Sequence, residues 1–159
     1  MAVFYSFHYD RDSRRVQQVK QMGALEGQKL LNSQEWETIK RGGDKAIENW
    51  IAEQMAYKTA VVVLVGAETA GRRWVKHEII KAWNDKRPLV GVRIHGLADP
   101  RDGTDSPGAN PFAAVRLEGG GSLADYITLH SPVGSNGSEV HASIAANLPS
   151  WVAGAYKRS

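Results

Sequence analysis

Ala60 to Val65 reads AVVVLV, an apolar run with no polar residue in it. A strand with one wet face alternates apolar and polar side chains; a strand without alternation is covered on both faces, as in parallel sheets flanked by helices. That run constrains the fold more than any other segment. The flanking segments fit it. Val3–Phe7 (VFYSF) is a β-rich core strand. Asp12 or Ser13 can cap a helix with Val16, Val19 and Met22 on its apolar stripe, stopped by Gly23. Residues 24–43 are the least defined: Lys29–Leu31 suggests a short strand, followed by a loop with some helix. Asp44 caps a helix carrying Ile47, Trp50, Ile51 and Met55 at amphipathic spacing.

After AVVVLV comes the turn GAETAG, then a helix from Arg72 to Asn84. RPLVGVRI is a further core strand, with Pro88 at its start where a missing N–H does least harm. A long Gly-, Pro- and Asp-rich loop follows, and loops of that length in a compact domain usually carry function. DYITL (125–129) is expected to be the last strand, and Ser138 to cap a final helix with Val140, Ile144, Leu148 and Trp151 on one stripe. The order β-α-(β)-α-β-α-β-loop-β-α predicts an α/β fold with a central, mostly parallel sheet between two helical layers. Ligands in such folds bind beyond the carboxyl ends of the strands. In this chain SFHYD, GAETAGRR and the loop after Ile94 line that edge.

With 159 residues the chain is expected to be a single domain, 1–159. It has no cysteine, which removes disulfides and thiolate chemistry and fits a cytoplasmic location. MAVFYSFHYD lacks the basic run and long apolar core of a signal peptide, and AVVVLVGA is too short to span a membrane. The net charge of +3 is spread over Arg14-Arg15, Arg72-Arg73, Lys86-Arg87 and Lys157-Arg158. Such scatter reads as solvated surface, not a nucleic-acid groove, though it can help hold a phosphorylated small molecule. His8, His77, His95, His130 and His141 show no metal-ligand spacing, and no phosphate loop or GxSxG occurs. No metal is expected.

The segment that can carry chemistry is RRWVKHEII, Arg72–Ile80. A helix N-terminus just past a central strand offers free N–H groups, and Arg72 and Arg73 add positive charge, so an anion such as a pyrophosphate is favoured there. Trp74 and Glu78 are four residues apart and share a helix face. Two readings stay open at this level. Glu78 can be a surface carboxylate paired with Lys76 or Lys81. It can also be a carboxylate beside an aromatic wall that grips a ribose diol and offsets positive charge at an anomeric carbon.

VFYSFHYDRDS resembles the first conserved box of TIR domains, and WVKHEI resembles the W-V-x-x-E-I segment of the catalytic helix in NAD-cleaving TIR domains. The likeness is closer to the TIR-like domains of bacterial Thoeris antiphage systems, the ThsB type. It extends through the Trp36 region, VLVGAETAGRRWVKHEI, VGVRIHGLAD and GANPF, roughly residues 3–115. The resemblance implies a TIR/flavodoxin-like three-layer sandwich. It places the catalytic glutamate at Glu78 and the substrate pocket at Ser6, Phe7, His8, Tyr9, the loop around Trp36, and Trp74. His8 stands where TIR boxes often carry a basic residue. NAD+ is implied as substrate rather than cofactor, with cleavage of the nicotinamide–ribose bond. The product would be a linear, cyclic or conjugated ADP-ribose that diffuses to a separately encoded effector. A homo-oligomer that completes the pocket is consistent with the family, and a non-catalytic TIR assembly module is the alternative.

Overall fold

The structure is a computed structural model and describes residues 2–159. Its strands are β1 (Ala2–Ser6), β2 (Glu26–Gly27), β3 (Ala60–Val65), β4 (Leu89–Arg93) and β5 (Leu129–His130). They form one sheet in the order β2-β1-β3-β4-β5, and every neighbouring pair is parallel. The AVVVLV run is the central strand β3, and all of its residues are buried. Five α-helices accompany the sheet: α1 (Tyr9–Gln21), α2 (Ser33–Arg41), α3 (Gly43–Met55), α4 (Arg73–Asn84) and α5 (Gly137–Ala153).

Alternating side chains of the strands feed two cores. Val3, Tyr5, Val62, Leu64, Val90 and Val92 pack against Val16 and Val19 of α1 and Ile144 and Leu148 of α5. Phe4, Val61, Val63 and Val65 pack on the opposite face against Ile47 and Ile51 of α3 and Val75 and Ile79 of α4. The residue of β1 beyond Phe4 on that second face is Ser6, so a hydroxyl is carried to the end of the strand directly beneath α4.

Several local boundaries differ from the sequence expectation. Lys29–Leu31 is not a strand. The second edge strand ends at Gly27 because the Gln28 side chain takes over the pairing: the Tyr5 N–H donates to Gln28 Oε1 at 2.9 Å and Gln28 Nε2 donates to the Tyr5 carbonyl at 2.8 Å. The main chain at 28–31 is thereby free to turn over the strand ends. The following segment is a regular helix, α2, started by a capping box of Asn32 and Glu35. Asp44 lies in the first turn of α3 and is not its cap; Gly43 supplies a left-handed backbone, φ +82°, at the α2–α3 junction. Neither Asp12 nor Ser13 caps α1. The helix begins at Tyr9, and Asp12 is turned inward to a buried pair with Arg15 at 3.0 Å. Arg15 also donates to the carbonyls of Leu97 (3.0 Å) and Gly103 (2.8 Å), which ties the loop after β4 onto α1.

DYITL is not one strand. Leu123–Asp125 forms a 3₁₀ turn capped by Ser122, and pairing with β4 is delayed to Leu129–His130. The final helix starts before the expected Ser138, with the Asn136 side chain accepting from the Glu139 N–H. Among the described residues no helix is long and apolar enough to cross a membrane.

Candidate active site

The carboxyl ends of β1 and β3, the start of α1 and the start of α4 meet at one edge of the sheet. Glu78 lies one and a half turns into α4 and is only 7% exposed. Ser6 Oγ donates to Glu78 Oε1 at 2.6 Å. The surface-pair reading of Glu78 therefore does not hold: Lys81 is engaged with Asp85 at 2.9 Å, and Lys76 lies on the exposed face. The reason is β1, whose terminal Ser6 faces α4 and draws the carboxyl inward, a contact that α4's own periodicity does not reveal.

Burial without a cationic partner pushes the Glu78 carboxyl up to about 8, against the opposing pull of the Ser6 hydrogen bond. At neutral pH the group is mostly protonated when nothing positive faces it. A ligand cation at this depth would favour the carboxylate, because charge in a site of low dielectric is stabilised chiefly by nearby opposite charge.

Glu78 forms part of the wall of a cavity of about 290 Å³. One wall is an aromatic series: Phe7 to Tyr9 at 6.3 Å between ring centroids, Tyr9 to Trp36 at 5.7 Å, and Trp36 to Trp50 at 6.3 Å. The Tyr9 hydroxyl donates to the Leu31 carbonyl and fixes the 28–31 turn as the roof. Trp74 lines the same cavity, and its ring is covered on one side by the Arg73 guanidinium at 4.6 Å. Aromatic faces gathered in one cavity suit a flat heterocycle.

The two arginines separate in role. Arg73 is committed to a salt bridge with Asp44. Arg72 is the N-cap residue of α4, lines the cavity mouth, and makes no salt bridge among the described residues. His8 sits beside it, 7% exposed, with Nδ1 buried and without a hydrogen-bond partner. Burial, and next the charge of Arg72, hold the His8 pKa below its ordinary value, so the ring is neutral at physiological pH.

Phe7, His8, Tyr9, Trp36, Arg72, Arg73, Trp74 and Glu78 thus line one cavity. Ser6 does not line it and instead holds Glu78. Sequence reasoning missed Trp50 and the 28–31 turn. Trp50 looked like a core position of α3, yet it is only half-buried and extends the aromatic wall. The turn carried no signal of its own, because its course depends on Gln28 pairing with Tyr5. Among the described residues no group of three or more His, Cys, Asp or Glu is placed to hold a metal ion.

Comparison with known proteins identifies the family. The family model for the Thoeris protein ThsB, TIR-like domain, matches residues 4–99, a span that contains every residue named for the cavity. A protein of Bacillus cereus (strain MSX-D12), named "Putative cyclic ADP-D-ribose synthase ThsB1", is 30% identical over 115 residues. That match covers 69% of this chain and 60% of the relative, so the chain spans less than two thirds of that protein's length. A family match over more than half of the chain, together with the five-stranded parallel sheet, leads to one assignment: the chain belongs to the Thoeris ThsB TIR-like domain family.

Proposed function

We propose that this chain cleaves the nicotinamide–ribose bond of NAD+ and passes the ADP-ribosyl group to an acceptor, making a nucleotide signal for antiphage defence. The observation that carries the reading is the buried Glu78 carboxyl, hydrogen-bonded by Ser6, without a salt bridge among the described residues and set in an aromatic cavity. An assembly-only module has no use for such a carboxyl, since burying it costs stability. The name of the Bacillus cereus relative, a cyclic ADP-D-ribose synthase, supports the same reaction class.

In this reading the nicotinamide ring lies between Trp74 and the Tyr9–Trp36 wall. The ribose hydroxyls bond to Glu78. The C1′–N bond breaks with its electron pair going to the ring nitrogen, so a cationic ring leaves as neutral nicotinamide and no general acid is needed. Positive charge then grows on C1′ and the ring oxygen. Glu78, ionised by the bound cation, faces that charge from a buried position, where a fixed carboxylate is most effective. The acceptor, whether water, a hydroxyl of the same molecule or another nucleophile, bonds to C1′ and gives up its proton. In the same reading Arg72, the N-cap residue of α4, and the free N–H groups of that helix end take the diphosphate. The product diffuses to a separately encoded effector, and a cytoplasmic site of action belongs to the same proposal.

The test is nicotinamide release from NAD+ by purified protein. Wild type should release it, and Glu78→Gln should be slower by about 10²-fold or more, the scale of losing one preorganised electrostatic group. Equal rates from the two proteins would remove Glu78 from the chemistry.

A further inference from the structure

The aromatic cavity is too small for a whole dinucleotide. At about 290 Å³ it lies at the bottom of the roughly 300–1,000 Å³ range of ligand pockets. It has room for a nucleoside, whereas NAD+ consists of two nucleosides and a diphosphate. On the other side of the β1–α1 junction lies a second, polar cleft of about 750 Å³. His8 and Asp10 line both spaces, so the two are neighbours across one wall at the same edge of the sheet.

We infer that the substrate straddles this wall: the nicotinamide nucleoside enters the aromatic cavity, the diphosphate crosses at His8 and Arg72, and the second nucleoside lies in the polar cleft against Arg14 and Arg101. The inference rests on the NAD+ reading above and assigns the half of the ligand that reading leaves unplaced.

The cleft is built for such a group. Most of its charges are already used internally. Arg11 is bound to Asp105 at 2.7 Å and Glu68 at 3.0 Å, and Arg15 is buried against Asp12. Arg14 and Arg101 remain accessible. Arg14 is 48% exposed at its side chain, and its guanidinium is held by the nearly buried Asp99 at 3.2 Å. A guanidinium fixed in this way is a flat, oriented platform, and guanidinium planes stack on nucleobases. Arg101 makes no salt bridge among the described residues, while its backbone N–H is anchored on Asp99 Oδ1 at 2.8 Å. Thr104 and Asp102 add hydrogen-bonding groups suited to ribose hydroxyls and base edges. At the shared wall, His8 Nδ1 is buried and unpartnered, an uncommon state for a polar atom, and a passing phosphate or ribose would satisfy it if that nitrogen carries the proton.

The experiment is calorimetric titration of wild type and of Glu78→Gln, which should consume the substrate at least about 10²-fold more slowly, with NAD+, nicotinamide mononucleotide and AMP. NAD+ should bind more tightly than either half. In the Arg14→Ala/Arg101→Ala background, Kd for NAD+ and for AMP should rise by about tenfold, the scale of losing one base-stacking contact, while Kd for nicotinamide mononucleotide moves by less than about twofold. Arg101→Ala alone leaves the Arg14–Asp99 pair intact and should shift NAD+ in the same direction by a smaller factor. If NAD+ binds but ignores these substitutions and AMP does not bind, the second nucleoside lies elsewhere and this inference falls while the NAD+ reading stands. If NAD+ binds neither wild type nor Glu78→Gln, both fall.

Discussion

Glu78→Gln should make the protein more stable at alkaline pH, and the size of the gain can be worked from the site. An ordinary glutamate titrates near 4.5, and burial moves Glu78 to about 8. Below the lower value the group is protonated in both folded and unfolded chains, so it adds no pH dependence. Between the two values the unfolded chain is ionised while the folded one keeps its proton. The unfolded state then binds fewer protons, and wild-type stability falls by about 1.4 kcal/mol per pH unit. Above the upper value the loss levels off, having reached about 5 kcal/mol. Glutamine has nearly the same shape, can accept the Ser6 hydrogen bond and does not titrate, so it is free of this loss. For a chain of this size about 1 kcal/mol moves Tm by roughly 2–4 °C. The two proteins should melt within a few degrees of each other at pH 5, and the variant should lead by on the order of 10 °C at pH 8.5. Differential scanning calorimetry across that range reads the difference directly. A surface glutamate would give a flat difference of about 0.5 kcal/mol or less. Parallel melting curves, or a variant that is less stable at pH 8.5, would refute the picture of a buried, cation-free carboxyl.

The same proton should govern turnover: kcat/KM for NAD+ should climb by up to about tenfold per pH unit between pH 6 and 8 and level off above, because the free enzyme must ionise Glu78; a rate that falls over this interval contradicts it. Ser6→Ala removes the one donor to Glu78, so the rising limb should move to higher pH and kcat/KM at pH 7 should drop by roughly fivefold to twentyfold. A pH profile superimposable on wild type would show that Ser6 is only packing. Gly66→Ala sets a methyl group against the buried Asp12 carboxylate, so it should destabilise the fold by about 2–4 kcal/mol, read as a lowered urea midpoint; an unchanged midpoint would mean that the Asp12–Arg15 pair is not held rigidly there.

What was legible in the sequence follows from where the determining contacts lie. β3 could be read because its uninterrupted valines state that both faces are covered. α3 and α4 could be read because their apolar stripes are local periodic signals. The edges could not. β2 and β5 are each two residues long, and their pairing is decided by partners far away in the chain, Tyr5 with Gln28 in one case and Gly91 with Leu129 in the other. The candidate site shows the same division. Ser6–Tyr9 and Arg72–Trp74 could be marked as candidates because they fall at a strand end and at the start of a helix, where open α/β sheets bind ligands, whereas Trp36 and the role of Glu78 rested on the family resemblance. The state of Glu78 was hidden. α4 alone allows an exposed carboxylate, and only the parity of β1, which turns Ser6 toward α4, makes it a buried and largely protonated acid. The polar cleft was hidden as well, since it joins α1 to a loop 85 residues later through Arg14 and Asp99.

The most direct test of the central claim is mass spectrometry of small molecules from phage-infected cells that express the wild-type chain or Glu78→Gln. Wild-type cells should lose NAD+, gain nicotinamide and accumulate an ADP-ribose-type nucleotide, and the small-molecule fraction alone should activate the purified effector. Cells with Glu78→Gln should show none of these changes. The same nucleotide appearing in both, or activation that requires the protein itself in the tube, would contradict the account.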